Sequence, residues 1–156
     1  MDEKKLLKYA VDYLSKYDSS KKNLEDVLKR KILKLKNTRI EKNQLFKASK
    51  KIILELERKN LISDERYCSS KILSLSKSGK SKNFIFNYLI KKGIDKNKLI
   101  VSIKEFQENN ENWELNSAKV FARKKKLLDS NDSYEKKLAK MARGGFSYEV
   151  CKKVLN

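Results

Sequence analysis

Hydrophobic positions recur at helical spacing along nearly the whole of this chain. Near the N-terminus, Leu6, Ala10 and Leu14 fall four residues apart, which places them on one face of a helix over residues 3–17. Similar stripes follow, separated by short polar stretches rich in Ser, Asp, Asn and Gly, the residues that start and end helices. The stripes and interruptions together predict nine helices. The predicted fold class is therefore all-α.

The later stripes indicate which side chains we expect in the protein interior. The second helix ends near Lys31, and a polar stretch around Asn37 precedes the third. The positions expected to face inwards are Leu24, Val27 and Leu28, then Leu45, Ala48, Ile52 and Leu56, then Tyr67, Cys68, Ile72 and Leu75, then Ile85, Tyr88 and Leu89, then Leu99, Ile100, Ile103 and Phe106, then Leu115, Ala118, Phe121 and Ala122, then Leu138 and Met141, and finally Val150, Cys151, Val154 and Leu155.

Two glycine phrases, KGIDKNKL and RGGFSYEVC, stand about fifty residues apart in a chain with four glycines and no proline. Gly93 and Gly145 each follow a helix and precede an apolar residue and then a cap, Asp95 or Ser147. Glycine at the position after a helix end adopts the left-handed conformation at no steric cost. The phrases therefore predict the same joint, in which one helix stops and the next begins within a few residues.

The spacing of these joints predicts an internal repeat. The nine helices fall into three groups of three, with units at residues 1–60, 61–109 and 110–156. In the first unit, Ile32 takes the place of the glycine and Leu33 the place of the apolar residue after it. That unit is thus degenerate and carries an insertion before its third helix.

Charge is the most unusual feature of the composition. Lysine and arginine number 39 against 20 aspartates and glutamates, which gives a net charge of +19. Such an excess favours a polyanionic partner, whether nucleic acid, an acidic protein surface or an anionic membrane. A lysine-rich coding bias explains the preference for lysine over arginine, but it does not explain why cations outnumber anions two to one.

Several kinds of site are excluded by the residues present. The chain has no histidine and two distant cysteines, so we expect no zinc site, no histidine-dependent catalysis, no metal and no cofactor. Gly79-Lys80-Ser81 is similar to the end of a phosphate-binding loop, but residue 74 is serine and a helix precedes it, so a turn and a helix cap are favoured. No apolar run is long enough for a membrane span or a secretory signal, which predicts a cytoplasmic protein.

Four phrases in order across nearly the whole chain resemble the RecX family, regulators of the RecA recombinase. They are DYLSKYDSSKKNLEDVLKRK at 12–31, NLISDERYCSS at 60–70, SGKSKNFIFNYLIKKGI at 78–94 and KKLAKMARGGFSYEVCKKVL at 136–155. The most specific part is the run from Leu61 to Tyr67, followed by the GKS phrase and then KKGI. The sequence departs from the family pattern at Ile32 and in the longer, more basic stretch from Leu33 to Leu45.

The resemblance implies a fold of three tandem three-helix units in an elongated, curved array. It implies a non-enzymatic protein that binds the RecA–DNA filament and mainly inhibits its ATPase and recombinase activity in recombination, DNA repair and the SOS response. The expected partners are the filament and single- and double-stranded DNA, which the protein would bind weakly and without sequence preference. The protein is expected to be a monomer. The composition leaves open a second hypothesis, a sequence-nonspecific nucleic-acid-binding helical protein.

Basic residues recur near the helix ends that the joints define, and they predict a continuous basic track. The run from Arg123 to Lys126 is the densest, although its structural explanation is a solvated helix end, where cations are favourable. The residues predicted to contact a partner or DNA are Arg30, Lys31, Lys80, Lys91, Lys92, Arg123, Lys124, Lys125, Lys126, Lys137 and Arg143.

Overall fold

The computed structural model describes all 156 residues and contains only helices. Their bounds are α1 Glu3–Lys16, α2 Lys21–Leu33, α3 Arg39–Arg58, α4 Asp64–Lys77, α5 Lys82–Lys91, α6 Lys96–Asn109, α7 Trp113–Lys124, α8 Tyr134–Arg143 and α9 Tyr148–Leu155. The nine predicted helices and the all-α fold class are confirmed. None of them combines the length and the apolar character that crossing a membrane requires.

The interior differs from the predicted one at a few positions. Ile100 was expected to face inwards, but its side chain is 48% exposed, because it lies outside the face of α6 that buries Leu99 and Ile103. The second helix continues past Lys31 to Leu33, and Ile32 lies inside it, fully buried. Leu33 is exposed, so it does not take the buried position that Ile94 and Phe146 occupy after the glycines.

The chain forms two compact units. The first contains residues Met1–Tyr67 together with Lys92–Ile94, and the second contains Cys68–Lys91 and Asp95–Asn156. In the first unit, α1, α2 and α3 pack around a core of Leu6, Ala10, Leu24, Leu28, Ile32, Leu45, Ile52, Ile53, Leu56 and Ile62. The division into three three-helix units at residues 60 and 109 remains a prediction.

A buried serine fixes the start of α2 in the first unit. The Ser20 hydroxyl accepts a hydrogen bond from the backbone N–H of Asn23 (3.1 Å) and donates one to the Lys92 carbonyl oxygen (2.5 Å). The Lys21 N–H, also at the first turn, donates to a carboxylate oxygen of Asp64 (2.8 Å). The joint is compact because Gly93 has no side chain, and a Cβ there would collide with the Lys22 side chain.

The second unit contains the same arrangement at the start of α5. The Ser81 hydroxyl accepts from the Phe84 N–H (3.0 Å) and donates to the Gly144 carbonyl oxygen (2.8 Å), while the Lys82 N–H donates to Glu114 (2.8 Å). Ser81 is fully buried. The unit's C-terminal core consists of Ala118, Ala122, Leu127, Met141, Phe146 and Cys151.

The predicted left-handed glycines are confirmed. Gly93 and Gly145 have φ values of +84° and +93°. At the end of α8, the Phe146 N–H bonds back to the Met141 carbonyl and its ring is buried. This is the helix ending in which a left-handed residue lets the following apolar residue fold back on the helix.

We expect the buried hydroxyl of Ser81 to contribute more to stability than a helix cap alone. Ser133 is the matched control, because it caps α8 through the Lys136 N–H (3.3 Å) but is exposed and donates to no carbonyl. Ser133→Ala should lower the free energy of unfolding by about 1 kcal/mol, and Ser81→Ala by about 2–3 kcal/mol, since it also leaves the Gly144 carbonyl without its partner. Urea denaturation of both variants measures the difference, and equal losses would contradict this account.

Candidate basic interface

A basic pocket lies in the second unit where the C-terminal ends of α7 and α8 meet. It encloses about 370 Å³ and is lined by Phe121, Lys125, Lys140, Arg143 and Gly144. Phe121 belongs to α7, Lys125 directly follows that helix, and the other three residues belong to α8 or its end. Three cations around one aromatic wall make this a surface suited to an anionic group.

The pocket depends on the absence of a side chain at Gly144. Its backbone is right-handed (φ −71°), so glycine is not required there for conformational reasons. A Cβ would, however, lie 2.9 Å from the Phe121 ring, which packs directly against this residue. The ring is also held edge-on against Phe146, with centroids 5.3 Å apart. The two glycines therefore have different roles. Gly144 allows the Phe121 ring to approach the backbone closely, and Gly145 provides the left-handed turn.

The backbone amides of the double glycine are not available to an anion. The N–H groups of Gly144, Gly145 and Phe146 all donate to carbonyls of α8, at 2.9–3.3 Å. The positive potential of the pocket therefore comes from side chains alone.

Two of the three cations already have partners within the chain. The Lys125 ammonium lies 5.9 Å from the centroid of the Phe121 ring, and Lys140 forms an ion pair with Asp132 at 2.8 Å. The hydrogen bond from Lys140, with a further one from Ser130, holds the pKa of the Asp132 carboxyl below its ordinary value of 3.8. Arg143 is exposed and carries its charge into the pocket without such compensation.

Of the residues predicted from the sequence, the structure brings Lys125 and Arg143 together at the pocket. Lys124 instead donates to the Ser78 carbonyl (2.9 Å) at the end of α4, and Lys80 lies over the Phe84 ring at 4.6 Å. Lys137 is half-buried on α8 and does not line the pocket. Arg123, Lys126 and Lys91 are exposed at or next to the ends of α7 and α5.

In the first unit, the predicted residues lie near the end of α2 and in the Lys92–Ile94 segment. Arg30 is exposed, whereas Lys31 lies 5.1 Å over the Tyr9 ring. The Lys92 carbonyl oxygen accepts a hydrogen bond from the Ser20 hydroxyl, and the Lys92 ammonium lies 3.5 Å from the side-chain oxygen of Asn23. The continuous basic track stays a prediction.

The contact residues predicted from the sequence include neither Lys140 nor Phe121, which the structure places at the pocket. Lys140 lies three residues before Arg143, a spacing that puts both on one face of a helix, so the sequence held a signal for it. Phe121 has core spacing and is half-buried, and nothing local distinguishes a pocket wall from a core residue.

This chain is similar to known proteins over most of its length. Regulatory protein RecX of Myxococcus xanthus (strain DK1622) is 30% identical over 155 residues, covering 94% of this chain and 82% of the relative. The chain belongs to the RecX family of regulatory proteins. No protein-family model matches it.

Crystal structures of RecX proteins agree with this assignment. RecX from Lactobacillus salivarius superimposes with a TM-score of 0.69 at 25% identity, covering 98% of this chain and 94% of that one. A second crystal structure of regulatory protein RecX has a TM-score of 0.68 at 18% identity, over 97% and 70% of the two chains, and shows the fold alone. The helical fold of this chain is thus that of RecX proteins.

The ion pair at the rim of the pocket can be tested by titration. Lys140→Gln should raise the pKa of Asp132 towards its ordinary value of 3.8, because the variant removes the hydrogen bond that lowers it most. The stabilisation from a depressed carboxyl is present above the unfolded-state pKa and is lost as the pH falls through the folded-state pKa. NMR titration of the Asp132 carboxyl carbon measures the shift, and an unchanged pKa in the variant would contradict the pairing.

Proposed function

We propose that this protein regulates the RecA recombinase by binding the RecA–DNA filament and mainly inhibiting its ATPase and recombinase activity. The observation that carries the proposal is membership of the RecX family, in which a relative covering most of the chain is named a regulatory protein. The RecA filament is the partner that this family resemblance implies. The protein acts by binding rather than by catalysis.

The charge distribution supports a filament as the partner. A RecA–DNA filament carries a phosphate backbone, and a chain of net charge +19 is attracted to it over long distances. The pocket at the ends of α7 and α8 supplies side-chain cations, including Lys125, whose ammonium lies 5.9 Å from the centroid of the Phe121 ring. Lysine-rich surfaces of this kind contact phosphates without reading sequence.

We expect the purified protein to lower ATP hydrolysis by RecA on single-stranded DNA at substoichiometric amounts. A bound molecule that restrains a filament affects more subunits than it contacts, so the inhibition should exceed the fraction of RecA subunits occupied. A coupled ATPase assay over a protein titration measures this. Unchanged hydrolysis and strand exchange at saturating protein would overturn the proposal.

The role of the pocket in filament binding needs a charge-matched control. The double variant Lys125→Glu/Arg143→Glu should bind filament more weakly than the wild type in co-sedimentation. The control Lys47→Glu/Lys50→Glu reverses the same number of charges at two exposed positions of α3. Equal weakening by both variants would show that overall charge, not the pocket, determines binding.

The second candidate function is direct, sequence-nonspecific binding of nucleic acid, which the net charge favours. In that case naked DNA should bind about as tightly as filament at physiological salt, with an affinity that falls steeply as salt rises. Comparing the two affinities at one salt concentration separates the candidates. Weak binding to naked DNA beside tight binding to filament favours the regulator.

A further inference from the structure

Lys126 has a backbone conformation that its side chain disfavours. Its φ is +55°, in the left-handed region, where a residue with a Cβ meets the following carbonyl oxygen. It follows α7 at the position immediately after the cap residue Lys125. The Leu127 N–H bonds back to the Ala122 carbonyl (2.9 Å), and Leu127 is fully buried. The burial of Leu127 holds Lys126 in this conformation.

The other helices of this chain that end in the same way use residues suited to the position. The left-handed residues that follow α3, α4, α5 and α8 are Asn60, Gly79, Gly93 and Gly145. Glycine has no steric penalty in this conformation, and asparagine tolerates it better than other side chains. Lys126 is the exception among the five, and a glycine would meet every backbone requirement of the site.

The local structure gives no reason for a lysine at this position. Its side chain is exposed, and its ammonium forms no hydrogen bond, ion pair or ring contact within the chain. The favourable interaction with the C-terminal end of the α7 dipole is already available to Arg123 and Lys124 in the last turn and to Lys125. A residue held in a disfavoured conformation, with no structural partner, points to a role in binding.

The neighbourhood of Lys126 indicates what it binds. The adjacent residue, Lys125, lines the basic pocket with Lys140 and Arg143, and Asp132 is the acidic side chain paired with that cluster. Lysine and arginine both bind phosphate groups, lysine as a point charge and arginine through its forked donors. A DNA strand presents closely spaced phosphates, and these match a cluster of four cations better than the isolated carboxylates of a protein surface do.

We propose that Lys126 and the pocket cations Lys125, Lys140 and Arg143 form the surface that contacts the phosphates of the DNA strand, and that Lys126 is present for its charge despite the strain. This inference rests on the proposed function, since it assigns the DNA-contacting surface of the filament-bound protein. Asp132, by pairing with Lys140, weakens the site's affinity for phosphate.

The test compares substitutions at Lys126 for stability and for binding to a labelled oligothymidylate, without RecA. Lys126→Gly should raise the melting temperature by about 2–4 °C because it relieves the strain. It should weaken binding roughly eightfold at 50 mM salt and about threefold at 200 mM, and reduce the salt-dependence slope by about 0.7, the effect of one lost phosphate contact on a single strand.

Three further variants separate charge from conformation. Lys126→Asn keeps a side chain that tolerates the conformation but lacks the charge, so it should bind as weakly as Lys126→Gly. Lys126→Arg should retain the binding and the melting temperature of the wild type. Asp132→Asn should bind more tightly, because it releases Lys140. The control Lys47→Gln, which removes one exposed charge from α3, should leave the slope unchanged.

Three results would contradict the proposal. A stabilised Lys126→Gly variant with unchanged DNA binding would show that Lys126 contacts no phosphate. A variant that is no more stable than the wild type would show that the lysine is not strained. If a polyglutamate peptide binds with the same dependence on Lys126, the surface accepts acidic protein segments, and the assignment to DNA is overturned. Because RecA is absent, these results are independent of the ATPase test of filament regulation.

Discussion

The serine hydroxyl at the start of α2 and of α5 is the interaction on which the remaining structure depends. In each unit one oxygen accepts a hydrogen bond from a helix amide and donates another to the carbonyl that precedes a left-handed glycine. Aspartate caps helices equally well, but an ionised carboxylate cannot donate, so a hydroxyl is needed for both bonds. The glycine is needed too, since a Cβ on Gly145 would lie 2.5 Å from the Ser81 oxygen.

This constraint positions the candidate interface of the second unit. The bond from Ser81 fixes the Gly144 carbonyl, and the bare α-carbon of that residue receives the Phe121 ring. The end of α8 is thereby held beside the end of α7, which brings Arg143 and Lys140 to the same pocket as Lys125. The glycine phrase near the C-terminus is therefore not itself an anion site. It holds together the helix ends that carry the cationic side chains of the pocket.

The features predicted correctly from the sequence are those that local chemistry determines. Ser63, Asp95 and Ser147 cap helices as expected, because capping involves residues only three apart. Exposure is a tertiary property, so periodicity alone placed Ile100 inside when the neighbouring elements cover only part of its helix. Ser81 and Gly144 are 63 residues apart in the chain, and no local pattern pairs them. In the sequence, nothing distinguishes Lys126 from the other members of its basic run. Its left-handed backbone depends on the burial of Leu127, which is a tertiary property that no local pattern shows.

Hydrogen–deuterium exchange on the filament-bound protein tests the central claim, that the surface built around the ends of α7 and α8 is the one that contacts the RecA–DNA filament. Amides of the connection between these helices, residues 125–133, include exposed groups whose exchange is fast in the free protein. Adding RecA–DNA filament should slow the exchange of the amides at residues 125–133 and leave the exchange of amides on the exposed face of α1 unchanged. Unaltered exchange at 125–133 in protein shown to be bound to filament would contradict it.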